Sequence, residues 1–355
     1  SSDLEISQFK SGEKSGTDWL DKITRLGSQQ SYNLSVNGRQ NNTQYFVSLS
    51  LFDQKGIIKD NGASKYTGRV NLSQDFGDRF NAGIKMNYTK NEINNVPIGE
   101  GALWSDAAIL TNALKFDPTL PVYNEKGNYQ KNLRATSFIN PVSYLEIDNR
   151  TEIDRFMATA HMTYDILSDL SINFQAGFDK NQSENYHYLP TSVITGASTN
   201  GQADRSSNQQ VNYQLQATID YKKTFKENHN FSALLGTEYM KYNSQRSSIH
   251  ASNFPYDGAK WWNLGLASDR PNISSFGARS ELFSQFMRVS YDYKLKYFFT
   301  ANMRVDGSSN FAPDDQYAFF PGVSVAWDLA KEPFMTSSVI DQLKLRAGFG
   351  INGND

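Results

Sequence analysis

Between Arg279 and Phe311 the chain reads RSELFSQFMRVSYDYKLKYFFTANMRVDGSSNF. Phe283, Met287, Val289, Tyr291 and Tyr293 occupy every second position but one, with Ser284, Arg288, Ser290 and Asp292 between them. Lys294-Leu295-Lys296 reverses the chain, and Tyr297, Phe299, Ala301, Met303 and Val305 then alternate with Thr300, Asn302, Arg304 and Asp306. A period of two sustained this long specifies an extended strand with one apolar and one polar face. Ordinary globular strands run to about five or six residues. A two-faced strand of about nine to eleven residues or more is what crossing a bilayer requires. The alternation therefore places Phe283, Tyr291 and Phe299 towards lipid and Arg288 and Arg304 towards a wet lumen.

Composition agrees with such a wall. The 355 residues have a mean hydropathy of -0.59, and no apolar run approaches the roughly 18 residues of a membrane helix. A membrane barrel tolerates this polarity because alternate residues of each strand face water. Aromatic residues make up 13% of the chain, including 23 Phe and 19 Tyr. Girdles at two membrane interfaces account for that excess, with Tyr164, Tyr221, Tyr239, Tyr291, Tyr293 and Tyr297 as candidates. A soluble sandwich with aromatic cores is the competing architecture. No cysteine is present, which excludes disulfides, thiolate metal sites and cysteine nucleophiles. A net charge of -2 gives no reason to expect a nucleic-acid partner.

The same alternation recurs along the chain. After a short turn of helix capped by Asp18 and carrying Trp19, Leu20 and Ile23, about twelve strands follow. Short connections fall near 38–43, 77–79, 167–169, 223–230, 294–296 and 330–342. Between them lie longer ones near 53–65, 91–151, 181–206, 244–278 and 307–316, the second including a candidate helix over 102–114. Outer-membrane barrels place short turns in the periplasm and long loops outside the cell. The fold expected is all-β, a transmembrane antiparallel up-and-down barrel.

Several segments resemble the SusC/RagA family of TonB-dependent outer-membrane transporters of Bacteroidetes. They include GTDWLDKITR at 16–25, YFVSLSLFDQKGIIK at 45–59 and KYTGRVNLSQDF at 65–76. PTLPVYNEKGNY at 118–129, NPVSYL at 140–145, MRVDGSSNF at 303–311, FFPGVSVAWDLAKEPFM at 319–335 and LKLRAGFGINGN at 343–354 continue the series in the family's order. Family members carry an N-terminal plug and a barrel of roughly 22 strands. The resemblance implies that residues 1–355 are an internal arc of that barrel, with plug and C-terminal strands outside this chain. It also implies active uptake of a bulky oligosaccharide or peptide. A SusD-like surface lipoprotein would be a partner, and a TonB–ExbB–ExbD complex would act through the plug.

No catalytic constellation stands out. His161 falls on a strand, His229 in a short turn, and His187 and His250 in separate loops, with no metal-binding HxxxH or HExxH spacing. GxSxG, Walker and GxGxxG motifs are absent, so neither enzyme nor cofactor is expected. Substrate contact is expected instead from aromatic side chains in the long loops: Trp104, Tyr123, Trp261 and Trp262. The alternative for each is to pin loops together or meet a partner protein. A plugless diffusion pore and a non-transporting β-rich adhesion protein are the other functional classes compatible with the pattern.

Overall fold

The computed structural model describes residues 16–96, 109–335 and 341–353. Twelve strands form one antiparallel sheet in sequence order, each hydrogen-bonded to the next. They are β1 (Ser28–Gln40), β2 (Thr43–Lys55), β3 (Gly62–Phe76), β4 (Phe80–Asn94), β5 (Asp148–Leu167) and β6 (Leu170–Leu189). β7 (Gln202–Phe225), β8 (His229–Ser252), β9 (Asn272–Tyr293), β10 (Tyr297–Ser308), β11 (Tyr317–Asp328) and β12 (Lys344–Gly350) complete it.

Register keeps the two faces of the sheet separate across every pair. Tyr32 on β1 meets Leu51, Val47 meets Val70, and Leu72 meets Ile84. Met86 faces Ala158, Phe178 faces Tyr213, Ile219 faces Leu235, and Phe299 pairs with both Tyr291 and Val325. A slip of one residue at any pair would turn one strand's apolar row over. Among the described residues the register shifts only between Asp165 and Leu167, at the β5–β6 turn; the ladders hold elsewhere, so a single apolar face runs from β1 to β12. Its side chains are solvent-accessible rather than packed into a core, Leu34 at 68% and Leu235 at 55%. An apolar surface of this extent needs a nonaqueous neighbour. Phe283, Tyr291 and Phe299 stand on it, and Arg288 and Arg304 on the opposite face.

Aromatic residues band the apolar face at two heights. Near the short turns lie the pairs Phe80↔Tyr164 and Phe231↔Tyr291, with Tyr293, Tyr297 and Trp327 stacked in a row. Eight residues further along their strands come Tyr88↔Phe156 and Tyr239↔Phe283, with Phe178↔Tyr213 at the same level. Eight residues span about 27 Å of strand, or about 20 Å of membrane at the usual barrel tilt, close to the apolar band of such barrels.

Connections at one end are brief: 41–42, 77–79, 168–169, 226–228 and 294–296. The sixth at that end, 329–343, expected at 330–342, has 15 residues and is much longer than the other five, opening with a 3₁₀ turn at Leu329–Lys331. At the other end, loops expected at 181–206 and 244–278 shrink to 190–201 and 253–271. β7 and β8 reach 24 residues each. At ~3.3 Å per residue they are more than twice as long as a tilted crossing needs. Their outer halves, such as QADRSSNQQ, lie beyond lipid, where both faces are wet and alternation is no longer required.

The lumen-side face is held by hydrogen-bonded polar side chains. Arg155 makes a bidentate pair with Asp179, its Nε and Nη2 at 3.1 and 2.9 Å from the two carboxylate oxygens. On β8 to β10, Arg304 donates to Asp306, to Glu238 at 3.2 Å and to Ser284 Oγ at 2.8 Å, while Gln214 on β7 donates to Glu238 at 2.7 Å. Glu238 and Ser284 are buried within this network, and both find partners in it.

Candidate substrate-facing loops

The long-loop end is a folded unit rather than a set of independent loops. Helix α1 (Trp19–Ile23) is capped by Asp18, whose carboxylate accepts from Asp21 N at 3.1 Å. Its Trp19 and Ile23 pack with Ile58 from the β2–β3 loop and Val96, Ile109, Phe116 and Tyr144 from the 95–147 connection. Within that connection, helix α2 spans Ile109–Lys115, the end of the helix expected over 102–114. Val193 from the β6–β7 loop, just before α3 (Ile194–Ser198), joins the same cluster.

Two asparagines organise its interior. Asn112 is fully buried, accepting from Ile139 N at 2.8 Å and donating to Tyr144 at 3.1 Å. Asn140 donates to the carbonyls of Val122 and Gln130 and accepts from Val142 N, capping the 3₁₀ turn Pro141–Glu146. Trp19 Nε1 donates to the carbonyl of Asp117 at 3.2 Å, tying the first helix to this loop.

A second cluster is built from Tyr188, Ala203, Ala251, Phe254, Ala259 and Trp261. Asp257 fastens it to the β6–β7 corner, accepting from Tyr188 OH and Thr191 N at 2.9 Å and from Thr191 Oγ1 at 2.6 Å. Burial opposes ionisation of Asp257, but these hydrogen bonds outweigh it and hold the carboxyl below its ordinary range. Burial and the Asp257 contact together push Tyr188 well above the usual phenol range. Lys260 reaches Asp148 at 2.9 Å, joining the 253–271 loop to the start of β5.

Two open clefts lie among these loops. One, of about 790 Å³, includes Tyr123, Tyr129, Asn132, Phe138, Glu146 and Ile194 in its lining. Tyr123 and Tyr129 lie ring against ring, 5.1 Å between centroids, and Tyr129 donates to Glu146 at 2.7 Å. Desolvation, with that bond, raises the Tyr129 phenol strongly. The other cleft, about 780 Å³, runs between Asp60, Asn95, Arg150 and Lys260.

The four expected contact residues fare differently. Tyr123 is half exposed on the wall of the first cleft, and Trp262 is 74% exposed at the tip of the 253–271 loop. Trp261 is buried at 4%, its ring against Tyr186 and Trp262 at 5.5 and 6.0 Å, which is the loop-pinning position. Trp104 lies outside the described residues. Three histidine placements need correction. His187 and His250 lie on β6 and β8, not in loops, and His229 begins β8. Continuation of the strands past the lipid band brings His187 and His250 to either side of Asp204. Asn112, Asn140 and Asp257 carried no periodic signal, because each acts through loop backbone.

A twelve-strand sheet with a lipid-type face, aromatic bands and organised loops at one end defines an outer-membrane barrel protein. A TonB-dependent receptor, P3, of Formosa agariphila is 30% identical over 95% of this chain, which spans 34% of that protein. The TonB-dependent receptor SusC of Bacteroides thetaiotaomicron is 27% identical, again over 95% of the chain and 35% of its own length. The chain thus spans about a third of the length of the curated relatives it matches. Among solved structures, the RagAB peptide importer in its closed-closed state superposes with a TM-score of 0.79 at 20% identity, over 96% of this chain and 38% of the other. The ferric citrate transporter FecA gives 0.56 at 10% identity, over 87% of this chain and 40% of its own, a likeness of fold. No family model matches the chain. The chain is a homologue of the SusC-type TonB-dependent receptors, as the sequence resemblance implied.

Proposed function

We propose that this chain is an arc of the barrel wall and entrance of a TonB-dependent importer of a bulky nutrient, an oligosaccharide or a peptide. The observation that carries the reading is the junction of an unbroken lipid-type face with a packed platform of loops at one end. The wall supplies a rigid polar passage, and the platform shapes the entrance above it. Likeness to SusC-type receptors along nearly the whole chain supports the same reading. A SusD-like lipoprotein would cover the loops, and TonB–ExbB–ExbD would supply energy through a plug. Since the order of pairing runs from β1 to β12 without joining those two among the described residues, further strands would close the cylinder.

Substrate contact falls to two exposed aromatic rings, Tyr123 in the first cleft and Trp262 at the loop tip, and the sequence adds Trp104, outside the described residues, as a third candidate. Trp261 would act by holding Trp262 in place. Uptake by the intact protein in cells should stop when an uncoupler collapses the proton-motive force. Uptake that continues unchanged would point to a passive pore. Trp262→Ala should weaken substrate capture several-fold while leaving the amount of protein in the membrane unaltered.

A further inference from the structure

His187, Asp204 and His250 occupy directly paired positions on β6, β7 and β8, in one row on the lumen-side face. Asp204 Oδ1 lies 2.6 Å from His250 Nδ1, and Oδ2 lies 3.2 Å from His187 Nδ1. Gln202 Nε2 donates to the same carboxylate at 3.2 Å. An ionised carboxylate only accepts, so each imidazole donates from Nδ1 and leaves Nε2 to exchange protons with water. Each residue stands two positions from the end of its strand, where β6 enters the 190–201 loop, β7 leaves it and β8 enters the 253–271 loop. The row is therefore the common root of both loops.

We propose that this row is a pH-operated brace of the barrel rim, tight when the two imidazoles are protonated and looser when they are neutral. The step concerns the stability of the rim and stands apart from what the barrel carries. Protonation at Nε2 turns two neutral donors into charge-assisted ones at a single anion, which strengthens both bonds. Imidazoles ordinarily change charge between about pH 5 and 8. Burial favours the neutral acid at Asp204, but the bonds from His187 and His250 outweigh it and hold the carboxyl well below the usual carboxylate range. A lowered acid keeps its stabilising contribution above the ordinary carboxylate pKa and loses it only in stronger acid. Asp204 thus stays charged across the ordinary carboxylate and imidazole ranges alike.

Few other charges compete with it. From β5 and β9 the paired neighbours are the neutral Asn149 and Asn272. Arg205 alternates to the other face and pairs with Glu184 at 3.7 Å, and Lys260 pairs with Asp148. Asp269 is bonded to Ser252 above the row, and Arg246 on β8 lies four residues below His250.

Amide hydrogen exchange on the full-length protein in detergent, at pH 5.5 and 8, tests the brace. After correction for the intrinsic rate, peptides covering 186–205 and 248–254 should exchange about tenfold faster at pH 8, with the 160–175 hairpin unaffected. In the His187→Gln/His250→Gln double variant, which retains neutral donors, that difference should vanish. Asp204→Asn should also remove it, with the rim held at its looser level at both pH values. A pH difference that persists in the double variant, or none in the wild type, would overturn the proposal.

Discussion

Gly236 on β8 lies against the ring of Phe286 on β9, and a Cβ added there would come within 2.4 Å of that ring. Phe286 in turn carries the Arg304 guanidinium 5.5 Å from its centre, beside the Glu238 and Asp306 contacts. Gly236→Leu must displace the ring and disturb the arginine, an overpacking cost of about 1–3 kcal/mol. Thermal unfolding in detergent should show a lowered midpoint; an unchanged one would mean that Phe286 is free to swing away. The opposite sign is expected at Leu295. Lys294 and Leu295 both sit in the left-handed region at φ 53, forming the tight turn of the three-residue 294–296 connection with Lys296 N bonded to Tyr293 O. Replacing Leu295 by Gly should relieve about 1 kcal/mol and raise the midpoint. The turn was legible from the break in alternation between Tyr293 and Tyr297. Phe286 was not, because it falls in the polar row with Ser284 and Arg288, and sequence alone does not show the glycine it covers across the strand pair.

At the scale of the strand, facing determines what a substitution costs. Leu235 stands between the two aromatic bands on the apolar face, and Gln216 stands on the lumen face opposite Glu238. Leu235→Arg should cost about 2–4 kcal/mol, the price of a cation near the bilayer midplane. Gln216→Arg should be close to neutral, its charge meeting an acidic neighbour. Equal losses of folded, heat-modifiable protein for the two variants would contradict the assignment of faces. Strand existence and facing were legible because lipid on one side enforces a period of two from Tyr32 to Phe349. Strand length was not. Above the upper aromatic band both sides are wet, so 181–189 and 244–252 read as loop although their backbone ladder continues. The same extension placed His187 and His250 beside Asp204, a juxtaposition that sequence spacing does not reveal.

For the molecule as a whole, twelve strands in register give a curved wall whose one end is brief turns and whose other end is a packed platform. Alternating connection lengths disclosed that polarity, although 329–343 departs from it. Of the platform, only the Asp18-capped turn with Trp19 and Ile23 was legible; what it packs against was not, because Trp19 bonds loop backbone nearly a hundred residues away. Asp257→Ala should release the 253–271 loop from Thr191 and Tyr188, with faster protease cleavage there in intact cells and the barrel unaltered. Cleavage confined to 167–169 or 294–296 would invert the topology.

The central claim is that one face of this sheet meets lipid, and alternation on β9 tests it most directly. The chain has no cysteine, so single cysteines at positions 283 to 291 would be its only thiols. In outer-membrane vesicles of the full-length protein, with any other thiols removed, a lipid-soluble maleimide should label 283, 287, 289 and 291. A charged, water-soluble reagent should favour 284, 288 and 290. Labelling of both sets by the water-soluble reagent, with no alternation, would contradict a membrane-embedded barrel.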